Sequence, residues 1–449
     1  MNNNIFIVVP DAIWFSYVPR HWRVKKIREL FSERNTKVSD KDYSALSVGK
    51  MGVVPQLDSA AKTDNGDNRK LILKGDFAIN SRSDRKGSSG ISEFDGSASL
   101  IITVLKPNHE INGRFSHYLL RSHYFVEEFY RNGHGLVSDL WTTKWDEMRN
   151  ICIPVPPREE QDQIVHYLDW KVSQINKLIH GYQKQINLLG ECKKCIISKA
   201  VLRGIKPTDF KLSENQWIGK IPSSWKCLRG KQLFQEIDNR STLGNEELLS
   251  VSHITGITPR SQKNVTMFKS ETLVGYKICD IGDIAANTMW MWQGAIGVSQ
   301  FRGVISPSYN TYRQKANYYL PKYLDYLFRV PEIIQNYLVL STGIRKSRLR
   351  LYPDKFFSIY FPVPTLFEQQ EILHYIEYEI SIYDKQISNI QKQIDLLREY
   401  RTRMISDVVT GQIDVRGVQI PDYVPEEDVP ENEDDSEEEI EEETENDGD

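Results

Sequence analysis

Two basic, hydroxyl-rich stretches and one tryptophan cluster hold the side chains of this chain best suited to chemistry with a polyanion. The first, Asn80-Ser81-Arg82-Ser83-Asp84-Arg85-Lys86-Gly87-Ser88-Ser89-Gly90, mixes guanidinium forks with small polar groups. A guanidinium can pair bidentately with a guanine edge, and hydroxyl or backbone N–H groups can hold phosphate. Arg82, Ser83, Arg85, Lys86 and Ser88 are therefore candidate DNA contacts. Thr342 to Arg350 is the densest basic run and adds Arg345, Lys346, Arg348 and Arg350. Asn287, Trp290, Trp292 and Gln293 form a third group, in which an exposed indole could meet a thymine methyl or wedge at a base step. Thr143 and Lys144 close a less basic counterpart of the second run. The plain alternatives are solvated surface for the cations and core burial for the indoles.

Catalytic constellations are missing from the sequence. It has no GxxxxGK[ST] phosphate loop, no HExxH, no paired CxxC set, and no Asn/Asp-Pro-Pro-aromatic tetrad. Cys192 and Cys195 form a lone CxxC whose repeat positions are Tyr400 and Arg403, so a zinc site is not expected. His166 and His374 occupy equivalent places and read as ordinary helix residues. A binding protein is expected rather than an enzyme.

The elements that must position these groups come in two copies. Pro154 to Val201 aligns without a gap on Pro362 to Val409 at an offset of 208. Val18–Phe31 matches Ile221–Phe234 at 203, and Lys74-Gly75-Asp76-Phe77 matches Ile281-Gly282-Asp283-Ile284 at 207. Between these anchors NSRSDRKGSSG stands where NTMWMWQGAIG stands. A shared frame with divergent loops suits two modules that read different things, in a pseudo-two-fold molecule.

Each copy ends in a long helix. Val165, Leu168, Val172, Ile175, Ile179, Tyr182, Ile186, Leu189, Lys193, Ile196 and Ala200 alternate spacings of three and four. Leu373, Ile376, Ile380, Tyr383, Ile387, Ile390, Ile394, Leu397, Arg401, Met404 and Val408 do the same. That 3.5-residue period predicts two coiled-coil helices packed on each other within the chain, with one basic seam position in each (Lys193, Arg401). Gly204 and Gly411 are the expected stops. Pro154-Val155-Pro156 and Pro362-Val363-Pro364 should be extended arms, followed by Glu160-Gln161 and Glu368-Gln369 in the first helical turn. Mixed blocks precede both helices. They contain strand-like runs at Leu71–Asn80 and Ser99–Leu105 and helix-like stretches at Phe115–Tyr130 and Leu320–Leu340.

The formal charge of −4 hides an uneven distribution. Of 61 acidic residues, 17 follow residue 420, which leaves 57 basic against 44 acidic in the rest, a net of +13. A basic body points to a polyanion partner. The acidic run cannot bury enough apolar surface to fold and is expected to be disordered. Neither a membrane span nor a signal peptide is expected. Five cysteines fit a reducing cytoplasm.

With IPVPPREEQDQIV and FPVPTLFEQQEIL opening the two helices, the chain resembles the specificity subunits of type I restriction–modification systems. INLLGECKKCIISKAVLRG and IDLLREYRTRMISDVVTGQIDV close the helices in the same likeness, and Val18-Pro19-Arg20-His21-Trp22 and Ile221-Pro222-Ser223-Ser224-Trp225 open the two blocks. The resemblance covers nearly all of the chain but the acidic end. It implies an α+β fold: two mixed α/β target recognition domains joined by two long helices in an intramolecular antiparallel coiled coil. The corresponding division is 1–157, 158–204, 205–365 and 366–415, with an acidic tail at 416–449. It further implies recognition of a bipartite double-stranded DNA target and docking of two methyltransferase (M) subunits and of restriction (R) subunits. S-adenosylmethionine, ATP and Mg would arrive with those partners, and this chain would hold no cofactor. A protein-binding scaffold and a nuclease with an unrecognised site are the rival expectations.

Overall fold

The structure, a computed structural model, describes residues 6–10, 12–56, 66–135, 141–206, 209–262, 272–344 and 348–426. The chain divides into two compact units. One comprises residues 1–183 with 391–432, the other residues 184–390 with 433–449.

In the first unit an antiparallel sheet carries the site. The strands of that sheet and of a neighbouring two-stranded one are β1 (Arg23–Lys26), β2 (Phe31–Glu33), β3 (Phe77–Asn80), β4 (Ser89–Ile91), β5 (Ile102–Pro107) and β6 (Cys152–Val155). Four of them lie side by side in the order β4-β3-β5-β2, and β6 pairs with β1. Phe77, Ala78, Ile79, Val104 and Leu105 are buried, so β3 and β5 read as apolar runs rather than alternating ones. The expected strand at Leu71–Asn80 is two strands, because Lys74-Gly75-Asp76 makes a turn in which Gly75 has φ +89°. The helix expected at Phe115–Tyr130 is also two, α1 (Gly113–Arg121) and α2 (His123–Arg131), broken where Ser122 is extended. α3 (Arg158–Arg203) follows β6.

The second unit repeats this plan. β7 (Lys226–Arg229), β8 (Phe234–Ile237), β9 (Ile284–Ala286), β10 (Ile296–Val298), β11 (Asn310–Gln314) and β12 (Tyr360–Val363) include a sheet ordered β10-β9-β11-β8, and β12 pairs with β7. α4 (Pro321–Phe328) and α5 (Pro331–Leu340) replace the single stretch expected at Leu320–Leu340. Pro331 forces the break, since the residue before a proline is pushed out of the helical region, and Val330 is extended. α6 (Leu366–Val409) ends the repeat. Trp225, Phe234, Tyr312, Tyr323, Phe328, Phe356 and Phe361 form a core that continues into Ala200, Val201, Ile372 and Ile376 of the long helices.

Every seam position named from the 3.5-residue period is buried or half-buried. In the first unit Arg401 Nη1 donates to Asn176 Oδ1 at 2.8 Å. In the second, Lys193 pairs with Asp384 and Lys206 Nζ lies 2.6 Å from Glu371 Oε1. Along α3 the numbers rise while along α6 they fall, so the helices run antiparallel. Gly204 (φ +70°) and Gly411 (φ +75°) stop the two helices in the left-handed conformation that glycine adopts without strain.

The Glu-Gln pair that opens each helix couples it to its domain. Gln161 is fully buried; its Oε1 accepts from Asn112 N at 2.6 Å and its Nε2 donates to the Glu110 and Pro156 carbonyls at 3.0 Å each. Gln369 does the same with Leu320 N (2.8 Å) and the Tyr318 and Pro364 carbonyls (2.8 and 3.1 Å). Glu160 accepts from the Trp22 indole at 3.0 Å, and Glu368 from the Trp225 indole at 3.2 Å. These residues do more than favour a helix N-terminus.

The tail expected from residue 416 begins as an ordered strap. Gln163 Nε2 donates to the Val415 and Val418 carbonyls at 3.0 and 2.9 Å. Glu426 N donates to Ser173 Oγ at 2.8 Å, and the Glu426 carboxylate lies 2.8 Å from His180 Nδ1. Residues 427–449 lie outside the described residues.

Candidate nucleic-acid interface

In the first domain the loop after β3 is shaped by Asn80. Its buried Oδ1 accepts from Arg82 N at 3.1 Å, turning the chain into a short 3-10 helix at Ser83–Arg85. A second segment meets this loop. Arg82 pairs with Thr142, and Thr142 pairs with His134, both in antiparallel bridges. Thr143 N donates to Ser81 O at 2.9 Å, and Ser83 N to Trp141 O at 3.1 Å. The end of α2 ties both segments down. Trp141 Nε1 donates to Tyr130 O at 2.8 Å, Thr143 Oγ1 to Phe129 O at 2.9 Å, and the Tyr130 hydroxyl to the Asn80 and Arg85 carbonyls at 3.3 Å each.

The second domain builds the same frame. The buried Asn287 Oδ1 accepts from Met289 N at 3.1 Å, and its Nδ2 donates to the Tyr309 hydroxyl at 3.0 Å. Thr342 and Arg350 exchange backbone hydrogen bonds at 3.0 Å each, and Leu351 N donates to Thr288 O at 3.2 Å. An Arg350 guanidinium N–H faces Met289 Sδ at 3.7 Å. Trp290 and Trp292 are half-buried and stacked, with centroids 6.1 Å apart and planes 20° apart; Trp292 Nε1 donates to Met289 O at 3.0 Å. Gln293 lies in the same turn and is half-buried.

The expected contacts therefore sort by environment. Arg82, Arg85, Lys86, Lys144, Arg348 and Arg350 are exposed. Lys86 is paired with Glu127 at 2.6 Å, and Arg85 lies 3.9 Å from Asp84. Among the described residues no carboxylate pairs with Arg82, Lys144, Arg348 or Arg350. Thr143, Ser88 and Asn287, expected as contacts, are all buried, with Thr143 spending its hydroxyl on Phe129 and Asn287 its amide on Tyr309 and Met289. Ser83 is half-buried. Arg345 and Lys346 lie outside the described residues. Sequence pattern alone did not single out Thr142, His134, Met289 or Thr342. The repeat offsets of 207 and 208 do align Asn80 with Asn287 and Thr142 with Arg350.

Among the described residues no group of three or more His, Cys, Asp and Glu side chains could hold a metal ion, and no helix is long and apolar enough to cross a membrane. Two cation-bearing loop edges on one repeated frame are what remain.

Residues 19–188 match the family model of the type I restriction modification DNA specificity domain. Over those residues the chain carries a type I DNA specificity domain. It is 22% identical to the MjaX specificity subunit of Methanocaldococcus jannaschii over 439 residues, which cover 89% of this chain and 95% of that one. The type I restriction enzyme MjaVIII specificity subunit of the same organism is 39% identical over 85 residues, 19% of this chain and 18% of that one. A chain from a solved structure concerned with complex assembly and conformational transition of the type I R-M system shares the fold, at a TM-score of 0.54 and 15% identity. The match covers 88% of this chain and 99% of that chain. The matched segment is a DNA specificity domain, and both Methanocaldococcus jannaschii relatives are named specificity subunits. Two mixed domains and paired long helices make up the fold this protein shares with the chain of the solved structure.

Proposed function

We propose that the two domains of this specificity subunit read the two halves of an asymmetric, split target in double-stranded DNA, through the loop edges around Arg82 and Arg350. One observation carries this reading: the same buried Asn and the same short ladder present exposed cations in both domains, while the side chains on the edge differ. Phosphate contacts supply affinity and base-edge contacts supply specificity. Lys144 and Arg348 fit the first role, Arg82 and Arg350 the second. The paired helices α3 and α6 act as a spacer that fixes the gap between half-sites and as the docking surface for two M subunits. R subunits join that assembly. S-adenosylmethionine, ATP and Mg enter with the partners, in a cytoplasmic complex.

The test is co-expression with a type I M subunit followed by single-molecule mapping of N6-methyladenine. A split, asymmetric methylated motif that vanishes when this chain is deleted is the expected result. Methylation unaffected by the deletion overturns the reading.

A further inference from the structure

The two loop edges differ in one systematic way. Residues directly opposite each other in an antiparallel pair project from the same face. In the first domain the row across the edge reads Arg82, Thr142, His134, as the two bridges establish. In the second it reads Met289, Arg350, Thr342: Thr342 and Arg350 form the bridge, and the Arg350 guanidinium rests on Met289. The offsets match these rows position by position, since Arg82 aligns with Met289 at 207, and Thr142 and His134 align with Arg350 and Thr342 at 208. Each row thus carries one guanidinium, but from neighbouring strands. Neither Arg82 nor Arg350 is paired with a carboxylate among the described residues, and both are exposed.

We propose that Arg82 and Arg350 are the specificity-determining guanidiniums of their domains, each reading a guanine, with the reading position displaced by one strand between the two half-sites. This rests on the DNA-reading function given above. Neighbouring strands lie about 5 Å apart. One base step along a DNA strand is about 3.4 Å. A shift of one strand therefore moves the guanidinium by roughly one to two base steps relative to the frame. An arginine fork on guanine O6 and N7 discriminates by roughly 5- to 150-fold against the wrong base.

The experiment selects from a library of double-stranded DNA with a randomised core, using the full chain. Native protein is compared with Arg82→Met, Arg82→Lys, Arg350→Met and the double variant Arg82→Met/Thr142→Arg, which copies the Met289–Arg350 arrangement into the first domain. Arg82→Met is expected to erase a guanine preference in one half-site and leave the other intact. Arg82→Lys keeps the charge without the fork and should lose that same preference. Arg350→Met should act only on the second half-site. The double variant should regain a guanine preference one or two base steps away. A selected motif unchanged in all variants overturns the proposal, as does a uniform loss of affinity with the motif intact, which marks phosphate contacts. Failure of the double variant to regain a preference also overturns it. Native protein that selects no split motif defeats the DNA-reading function itself, and this assignment with it.

Discussion

Arg401 crosses the seam of the first unit to donate to Asn176 at 2.8 Å, and both side chains are withdrawn from water. Their repeat counterparts at an offset of 208, Lys193 for Arg401 and Asp384 for Asn176, pair with each other in the second unit. The basic residue that breaks the apolar stripe of each helix is thus met by a polar residue of the other helix. Arg401→Leu should cost about 1–3 kcal/mol, because it takes a charge-assisted hydrogen bond from a buried amide. Asn176→Leu should cost a similar amount, because it takes the same bond from a buried guanidinium. The double Leu variant should recover most of the loss in urea unfolding. A double variant no more stable than Asn176→Leu would show that the pair is not the unit of stability.

Asp76 and Asp283 are the same residue in the two domains, and each is almost wholly buried. Arg34 grips Asp76 with Nε at 2.6 Å and Nη2 at 3.0 Å; Arg313 grips Asp283 at 2.6 and 2.7 Å. Arg34→Met should destabilise the first domain by about 3–5 kcal/mol, since it leaves a buried carboxylate unpaired. Adding Asp76→Asn should return part of that. Thermal unfolding of the two variants decides it, and equal midpoints would contradict the account.

His117 sits between two N–H donors, Ile91 N at 3.3 Å and Arg121 Nη1 at 2.9 Å. Burial, then the cations Arg121 and Arg114, push its pKa from 6.5 down to about 3. The folded state prefers the neutral ring, so its contribution is complete above about pH 6.5 and is lost as the pH falls toward 3. β4, which follows the Arg82 loop, and α1, which packs on β4, should loosen over that window. Replacing His117 by Gln should flatten the acid limb of the stability profile; an unchanged limb would rule the ring out.

Lys144 and Arg348 are exposed and unpaired by carboxylates among the described residues. Replacing either by Ala should weaken binding to all duplex sequences alike and lower the salt slope by about one. Affinity measured across salt concentrations provides the check, and a loss confined to one sequence would reassign the residue to base contact.

Inserting seven residues at matched places in α3 and α6 adds about 10 Å of helix and preserves the seam. The gap between the two recognised half-sites should lengthen by about three base pairs with both half-sites unchanged. Mapping the methylated motif tests this, and an unchanged gap would remove the spacer role.

Much of this was legible in the sequence because it rests on periodicity. The seam from Leu373 to Val408, the stops at Gly204 and Gly411, and the repeat itself needed only spacing and residue type. The loop edges were half legible. Arg82 and Arg350 stand out as cations, but Asn80 and Asn287 look like any loop asparagine until their hydrogen bonds show them turning the chain. Thr143 and Ser88 resemble phosphate contacts in sequence, yet both are buried, and the Thr143 hydroxyl serves a backbone carbonyl as readily as a ligand. The strands were least legible: many are three or four residues long, too short for a period to register.

The first unit is discontinuous: residues 1–183 are completed by residues 391–432, while residues 184–390 belong to the other. During synthesis the stripe from Val165 to Ile179 therefore waits for its partner turns of α6 while some two hundred residues are made, roughly ten to forty seconds at ordinary translation rates. The nascent amino-terminal half must endure that interval with an open apolar face. A premature stop late in the message would then injure the domain that was made first, and spare the one made last.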